Sequence, residues 1–221
     1  MANARFSRDE VILTIDASFS VDGRPLSPNS TAIHELSDLL QKLPIHRKEA
    51  RPENFRNYVG VSHQIERFRH GYSEDEKAWN VGETFFQVAS EYGCNKDELH
   101  QITHSIRRNL PYFDTPYGSP DEASGFPEGI LLGHLHRLIE KRDGARIPLE
   151  KRCCIYQLEP ERIYRSYGAL LEQHLTIDPT QMDGKRKYLE EDYITVCPNC
   201  HEALHRYRPW LVKENCGGLL R

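Results

Sequence analysis

Apolar positions recur at helical intervals through the first half of the chain, in four separate runs. Residues 7–20, SRDEVILTIDASFS, put Ser7 three places ahead of Glu10, the spacing of a capping box, and then place Val11, Ile12, Ile15 and Phe19 at helical intervals. STAIHELSDLLQKLP sets Ile33, Leu36, Leu39, Leu40 and Leu43 on one stripe and stops at Pro44. VGVSHQIERFRHG carries Val61, Ile65 and Phe68, and KDELHQITHSIRRNLP carries Leu99, Ile102, Ile106 and Leu110 before Pro111. The pattern predicts a small helical domain over 1–112.

The periodicity then fails. PYFDTPYGSPDEASGFPEG is rich in Pro, Gly, Ser and Asp, the composition of a connection, and predicts a linker over 113–128 with the boundary near residue 125. ILLGHLHRLIEKRDG reads as a short helix with Leu131, Leu135 and Leu138 on one side. His134 and His136 within it read as surface or interdomain residues. From about residue 150 the chain is irregular and its Cys and His residues gather toward the end. The second domain is set at 129–221, and no internal repeat or low-complexity tract interrupts either half.

Composition narrows the picture. A chain of 221 residues, 38% hydrophobic and 28% charged, suits an ordinary globular protein of one large or two small domains. No apolar run approaches the roughly 20 residues that span a bilayer, and the N-terminus lacks a secretion-signal pattern, so a cytoplasmic protein without a membrane partner is expected. In that compartment the six cysteines are expected as metal ligands or buried thiols rather than disulfides. The net charge of −4 excludes binding nucleic acid through bulk charge and confines such contact to local patches.

DYITVCPNCHEALH, residues 192–205, carries the densest chemistry. Cys197 and Cys200 have the turn spacing that lets two thiolates share a tetrahedral zinc ion. RCCIYQ supplies a further thiolate, Cys153 or Cys154, but Tyr156 and Gln157 stand where a second Cys-x-x-Cys would be completed. A three-thiolate site with a His or water, or no zinc, remains open. His201 and His205 are four apart, so on a helix they share a face and can grip one metal ion. LLEQHLTIDP adds Glu172 and His174 where a strand is expected. A strand histidine facing a helix with two more is a workable frame for metal-assisted phosphodiester cleavage: the cation neutralises charge on the phosphate while a histidine deprotonates water.

The stretch from GFPEGILLGHLHRL through RCCIY and YRSYGALLEQHLTIDP to DYITVCPNCHEALHRY resembles the nuclease domain of HNH endonucleases, in particular McrA-like, modification-dependent bacterial restriction enzymes. LQKLPIHRKEARPENFRNYVGVSHQIERF is similar to the segment preceding the nuclease in such proteins. The resemblance implies an α+β protein: a helical N-terminal domain followed by a ββα-metal domain. In the family a hairpin offers a metal-ligating residue and a general base, a helix supplies the last histidine, and a zinc knuckle is structural. Carried over, it implies catalytic roles for His174, Asn199 and His205, a Mg²⁺ or Mn²⁺ ion on His174, His201 and His205, and structural Zn²⁺ on Cys153, Cys197 and Cys200. Asn199 would orient the hairpin or the catalytic histidine.

Two positions depart from the family. Aligned without a gap, His174 takes the ligand position and Leu175 falls where the base belongs; with one inserted residue, His174 is the base and Gln173 the ligand. The upstream Cys-x-x-Cys is also missing.

The segment 46–71 has a local excess of positive charge, with Arg47, Lys48, Arg51, Arg56, Arg67 and Arg69 interleaved with Phe55, Tyr58 and Phe68. It suits either phosphate contact with base stacking or a solvated, ion-paired helix face. Arg206, Arg208 and Lys213 flank the second cluster. The expected activity is divalent-metal-dependent hydrolysis of DNA, with modified bases among the substrates, in bacterial restriction and defence. The alternative is a DNA reader on the same scaffold without cleavage; a zinc-stabilised protein-interaction domain comes third. Dimerisation is left open.

Overall fold

The computed structural model describes residues 4–19, 27–71, 82–113, 129–164 and 170–206. Packing divides the chain into one unit over Met1–Asp121 and another over Glu122–Arg221. Among the described residues there are eight α-helices and one two-stranded sheet, so the protein is α+β with helix predominant. No helix among them is long and apolar enough to cross a membrane. The segment expected as a linker lies almost wholly outside the described residues.

The first unit is built around α1 (Arg8–Phe19). Its residues from Asp9 to Asp16 are all buried, because α2 (Thr31–Lys42), α3 (Tyr58–Gly71), α4 (Glu83–Tyr92) and α5 (Lys96–Asn109) pack against it. A helix apolar on most sides belongs in the middle of a bundle. The expected capping box forms: Ser7 N donates to Glu10 Oε2 at 2.7 Å, and Glu10 N donates to Ser7 Oγ at 3.3 Å. The Ile33, Leu36, Leu39 and Leu40 stripe of α2 is buried, and Phe68 of α3 stacks on Phe85 of α4 with ring centroids 4.7 Å apart. Helix α4 adds the stripe Phe85, Val88 and Tyr92, which the sequence reading passed over.

The central position of α1 forces its acidic groups to find partners inside. Asp16 accepts from Thr103 Oγ1 at 2.8 Å. Glu10 accepts from Arg56 Nε at 2.6 Å and Nη2 at 2.9 Å, while His46 Nε2 lies 3.0 Å from its Oε2. Burial alone would raise the Glu10 carboxyl, but the hydrogen bonds and charges of His46 and Arg56 outweigh it and hold the group below its ordinary range.

The second unit centres on a short hairpin. Strands β1 (Glu172–Leu175) and β2 (Tyr193–Val196) pair antiparallel, with His174 opposite Ile194 and Leu175 opposite Tyr193. Thr176 N donates to Asp192 O at 2.8 Å and closes the connection beyond the strands. Helix α6 (Ile130–Asp143) packs on β1, as does α8 (Pro198–Arg206), which follows β2 after the single residue Cys197 and has Pro198 at its first position. Helix α7 (Pro160–Ile163) is a single turn. Where α6 ends against the hairpin, a Cβ on Gly144 would come 3.1 Å from Tyr193 Cε1 and 3.3 Å from Gln173 Cβ, so a larger residue would have to push these side chains aside. A core of Cys153, Ile155, Leu171, Ile194, Val196, Cys197 and Leu204 fills the other side of the sheet.

Candidate metal centre

Helix periodicity brings His136 and Glu140 onto one face of α6, and His201 and His205 onto one face of α8. His174 projects from β1 between them. The result is four imidazoles around one carboxylate. Glu140 Oε1 lies 3.3 Å from His136 Nδ1, 3.0 Å from His174 Nδ1 and 3.1 Å from His201 Nε2. Glu140 Oε2 lies 3.3 Å from His205 Nε2, and Leu175 N donates to Oε1 at 3.1 Å. His136, Glu140, His174 and His205 are all buried, each with a donor atom within 4.8 Å of the others, and together could hold a metal ion.

Burial and charge sort the protonation states. Burial pushes His174 down to about 3, with His136 and His205 adding to the effect and Glu140 opposing it. Burial lowers His205 as well, against Glu140. Both rings are therefore neutral near pH 7, the form that binds metal. Glu140 is raised by burial, but the charge of His136 and hydrogen bonds from His136, His174 and His201 outweigh it and hold the carboxyl well below its usual range. His201 is raised: burial opposes, and the carboxylates of Glu140 and Glu172 on either side of the ring prevail.

His201 differs from the rest in access. Its side chain is 17% exposed, and its Nδ1 lies 2.5 Å from Glu172 Oε2. Together with Glu140, Glu172, Arg137, Lys141 and His205 it lines a pocket of about 590 Å³. Arg137 is paired with Glu202 at 3.2 Å, and Glu202 also accepts from Arg206 at 2.9 Å.

A second cluster lies in the core that Ile194 and Val196 of β2 help to form. Cys153, Cys197 and Cys200 have sulfurs within 4.8 Å of one another and could also hold a metal ion. The loop carrying Cys153 is fixed to the hairpin by Cys154 N donating to Thr195 O at 3.0 Å. Tyr156 N donates to Cys153 Sγ at 3.3 Å. Burial raises the Cys153 thiol, but backbone donors at Tyr156, Cys197 and Ile155 bring it below its ordinary value, while burial and the neighbouring sulfurs raise Cys200. Amide hydrogens aimed at a sulfur favour the thiolate that a metal requires. Tyr156, at the third position after Cys153, is exposed and points to no fourth sulfur. Cys154 is half-buried, Cys94 is exposed, and Cys216 lies outside the described residues.

Several expectations change. His136 is not at the surface: it is fully buried and its Nε2 donates to Leu175 O at 2.8 Å. His136 and Glu140 were both missed as candidate ligands, although their i, i+4 spacing on an amphipathic helix was a readable signal. His174 has no exposed surface and does not line the pocket; it belongs to the buried group that could hold a metal ion. Leu175 is likewise buried; only its backbone meets the cluster. Asn199 is exposed on the first turn of α8 and does not line the pocket; Glu172 orients His201.

The basic segment divides. Arg56 is buried and bonded to Glu10, Ala4 O and Arg5 O, so its charge is unavailable to a phosphate. Arg51 donates to the carbonyls of Leu43 and His46 and serves as a brace. Phe55 and Phe68 are core residues that cannot stack on bases. Arg69 pairs with Glu66 at 3.0 Å and Arg67 donates to Gln64 at 3.3 Å, while Arg47 and Lys48 are exposed. Arg208 and Lys213 lie outside the described residues.

Comparison with known proteins gives no match: no family model fits the chain, and neither a curated protein nor a solved structure is similar to it.

Proposed function

We propose that the second unit is an HNH-type, metal-dependent nuclease domain that hydrolyses DNA phosphodiester bonds in bacterial defence. The observation that carries this reading is the convergence of His174 from a hairpin strand and His201 and His205 from the helix that follows, on one buried centre beside a pocket. A divalent cation there would neutralise charge building on the phosphate and on the leaving oxygen. His201, held between Glu172 and Glu140 at the pocket wall, would give a proton to the leaving oxygen. The Cys153, Cys197 and Cys200 group would clamp the loop and the start of α8 to the hairpin with a structural zinc ion.

Duplex cleavage by the full chain tests the reading, with plain, methylated and hydroxymethylated DNA. Metal-dependent cleavage abolished by His174→Ala and by His205→Ala supports it. Intact substrates of all three kinds overturn it. The burial of Leu175 at the position of the family's base favours a second reading, a DNA reader without cleavage. Salt-sensitive DNA binding by the wild type, with every substrate left intact, would select that reading. Absence of DNA affinity would remove both.

A further inference from the structure

We propose that α6 supplies two further ligands, His136 and Glu140, and that the His136, Glu140, His174 and His205 centre selects a nitrogen-preferring transition-metal ion such as Zn²⁺, Co²⁺ or Ni²⁺ over Mg²⁺. The inference rests on the metal-centre part of the reading above and is independent of what the ion then does.

Donor chemistry is the first support. Mg²⁺ takes oxygen ligands, keeps several waters and gives up its hydration reluctantly. Three imidazoles and one carboxylate, all nearly without exposed surface, offer it a single favourable oxygen-bearing side chain in place of its water shell. Imidazole nitrogen suits Zn²⁺, Co²⁺, Ni²⁺ and Fe²⁺.

Spacing is the second. With metal–ligand bonds of about 2.0–2.1 Å, neighbouring donors sit about 3.3 Å apart in a tetrahedral site and about 2.9 Å apart in an octahedral one. Glu140 oxygens lie 3.3, 3.0 and 3.3 Å from the nearest nitrogens of His136, His174 and His205. The three rings stand nearly equidistant, with centroids 5.2, 4.9 and 5.1 Å apart.

The arrangement around His136 is the third. Its Nε2 donates to Leu175 O at 2.8 Å, and its Nδ1 faces Glu140 Oε1 at 3.3 Å. A backbone carbonyl that fixes the tautomer of a ring is the usual outer support of a metal-bound histidine. Leu175 thus contributes its amide to Glu140 and its carbonyl to His136, which ties the ligands of α6 to the strand that carries His174.

The test uses the full chain, stripped of metal and titrated with Co²⁺, with bound cobalt counted by elemental analysis and followed by absorption. Thiolate-bound cobalt gives sulfur-to-metal charge-transfer bands, whereas cobalt on nitrogen and oxygen gives ligand-field bands alone. The expected result is a single equivalent of the second kind, retained in roughly hundredfold excess Mg²⁺, and lost in Glu140→Gln and His136→Ala while any thiolate-bound cobalt remains. Wild type without nitrogen-bound cobalt, or displacement by comparable Mg²⁺, overturns the proposal, and so does a folded His136→Ala that keeps unchanged affinity. The wild-type titration decides alone if the variants do not fold. Cobalt binding without DNA cleavage would sink the nuclease reading and leave this centre standing; cleavage with Mg²⁺ by protein that takes no nitrogen-bound cobalt would do the reverse.

Discussion

Replacing Arg56 with alanine should damage the fold of the first unit rather than its affinity for DNA. The side chains of Arg56 and Glu10 are 3% and 0% exposed. Arg56 donates to both oxygens of Glu10, at 2.6 and 2.9 Å, and to Ala4 O and Arg5 O at 2.9 and 3.0 Å. Arg56→Ala removes these bonds and leaves a buried carboxylate with the Ser7 amide and His46 as its remaining partners. Breaking one side of a buried ion pair costs about 3–5 kcal/mol, and His46 offsets part of that, so about 3 kcal/mol is expected. At a urea dependence of about 2 kcal/mol per molar, the midpoint falls by about 1.5 M, readable by far-UV circular dichroism. The double change Glu10→Leu with Arg56→Met should recover most of the loss, because no charge is left uncompensated. Arg47→Ala and Lys48→Ala, at exposed positions, should move stability by less than about 0.5 kcal/mol. An Arg56→Ala protein with an unchanged midpoint and weakened DNA binding would refute this reasoning and return Arg56 to a phosphate-contacting role.

Acid should weaken the metal-free second unit. His174 falls from 6.5 to about 3 on folding. Between those values the unfolded chain binds a proton that the folded chain does not, and stability drops on acidification by about 1.4 kcal/mol per pH unit for this group. Glu140, held below 4.5, adds stability above that value which is lost as pH falls through its folded value. Urea melts from about pH 6 to about pH 5, where the opposite contribution of the raised His201 is already largely complete, give the slope, and a flat profile over that range would contradict it. Gly144→Ala places a methyl 3.1 Å from Tyr193 and should cost about 1–3 kcal/mol in a thermal or urea melt; an unchanged melt would show that the helix end yields freely. If Cys153, Cys197 and Cys200 hold zinc, a thiol-directed mercurial should release it from the wild type and Cys200→Ser should lower both zinc content and melting temperature; metal-free purified protein of equal stability would contradict this.

The helical half was legible because Ile33, Leu36, Leu40 and their counterparts repeat with the period of a helix and end at prolines. Helix α1 was legible for the same reason, through its cap, yet its central position was not. Nothing in a local window says that Asp9, Glu10 and Asp16 will be enclosed by four other helices. That long-range burial also converted Arg56 and Arg51 from apparent phosphate ligands into internal braces. In the second half, Cys197, Cys200, His201 and His205 announced themselves by spacing, and His174 by its place on a strand. His136 and Glu140 sat within a leucine-patterned helix, where apolar periodicity explains every neighbour and hides two polar residues on the same inward face. Their role depends on α6 crossing the hairpin, and Gly144 permits the close approach at its end.

The most direct measurement is nicking of supercoiled plasmid by protein stripped of metal, with divalent ions restored singly and Glu140→Gln run beside the wild type. The account predicts no nicking without metal, recovery with Co²⁺ or Ni²⁺, and no recovery in Glu140→Gln. Nicking that persists without metal, or that Glu140→Gln performs as well as the wild type, would contradict a role in cleavage for the centre around Glu140.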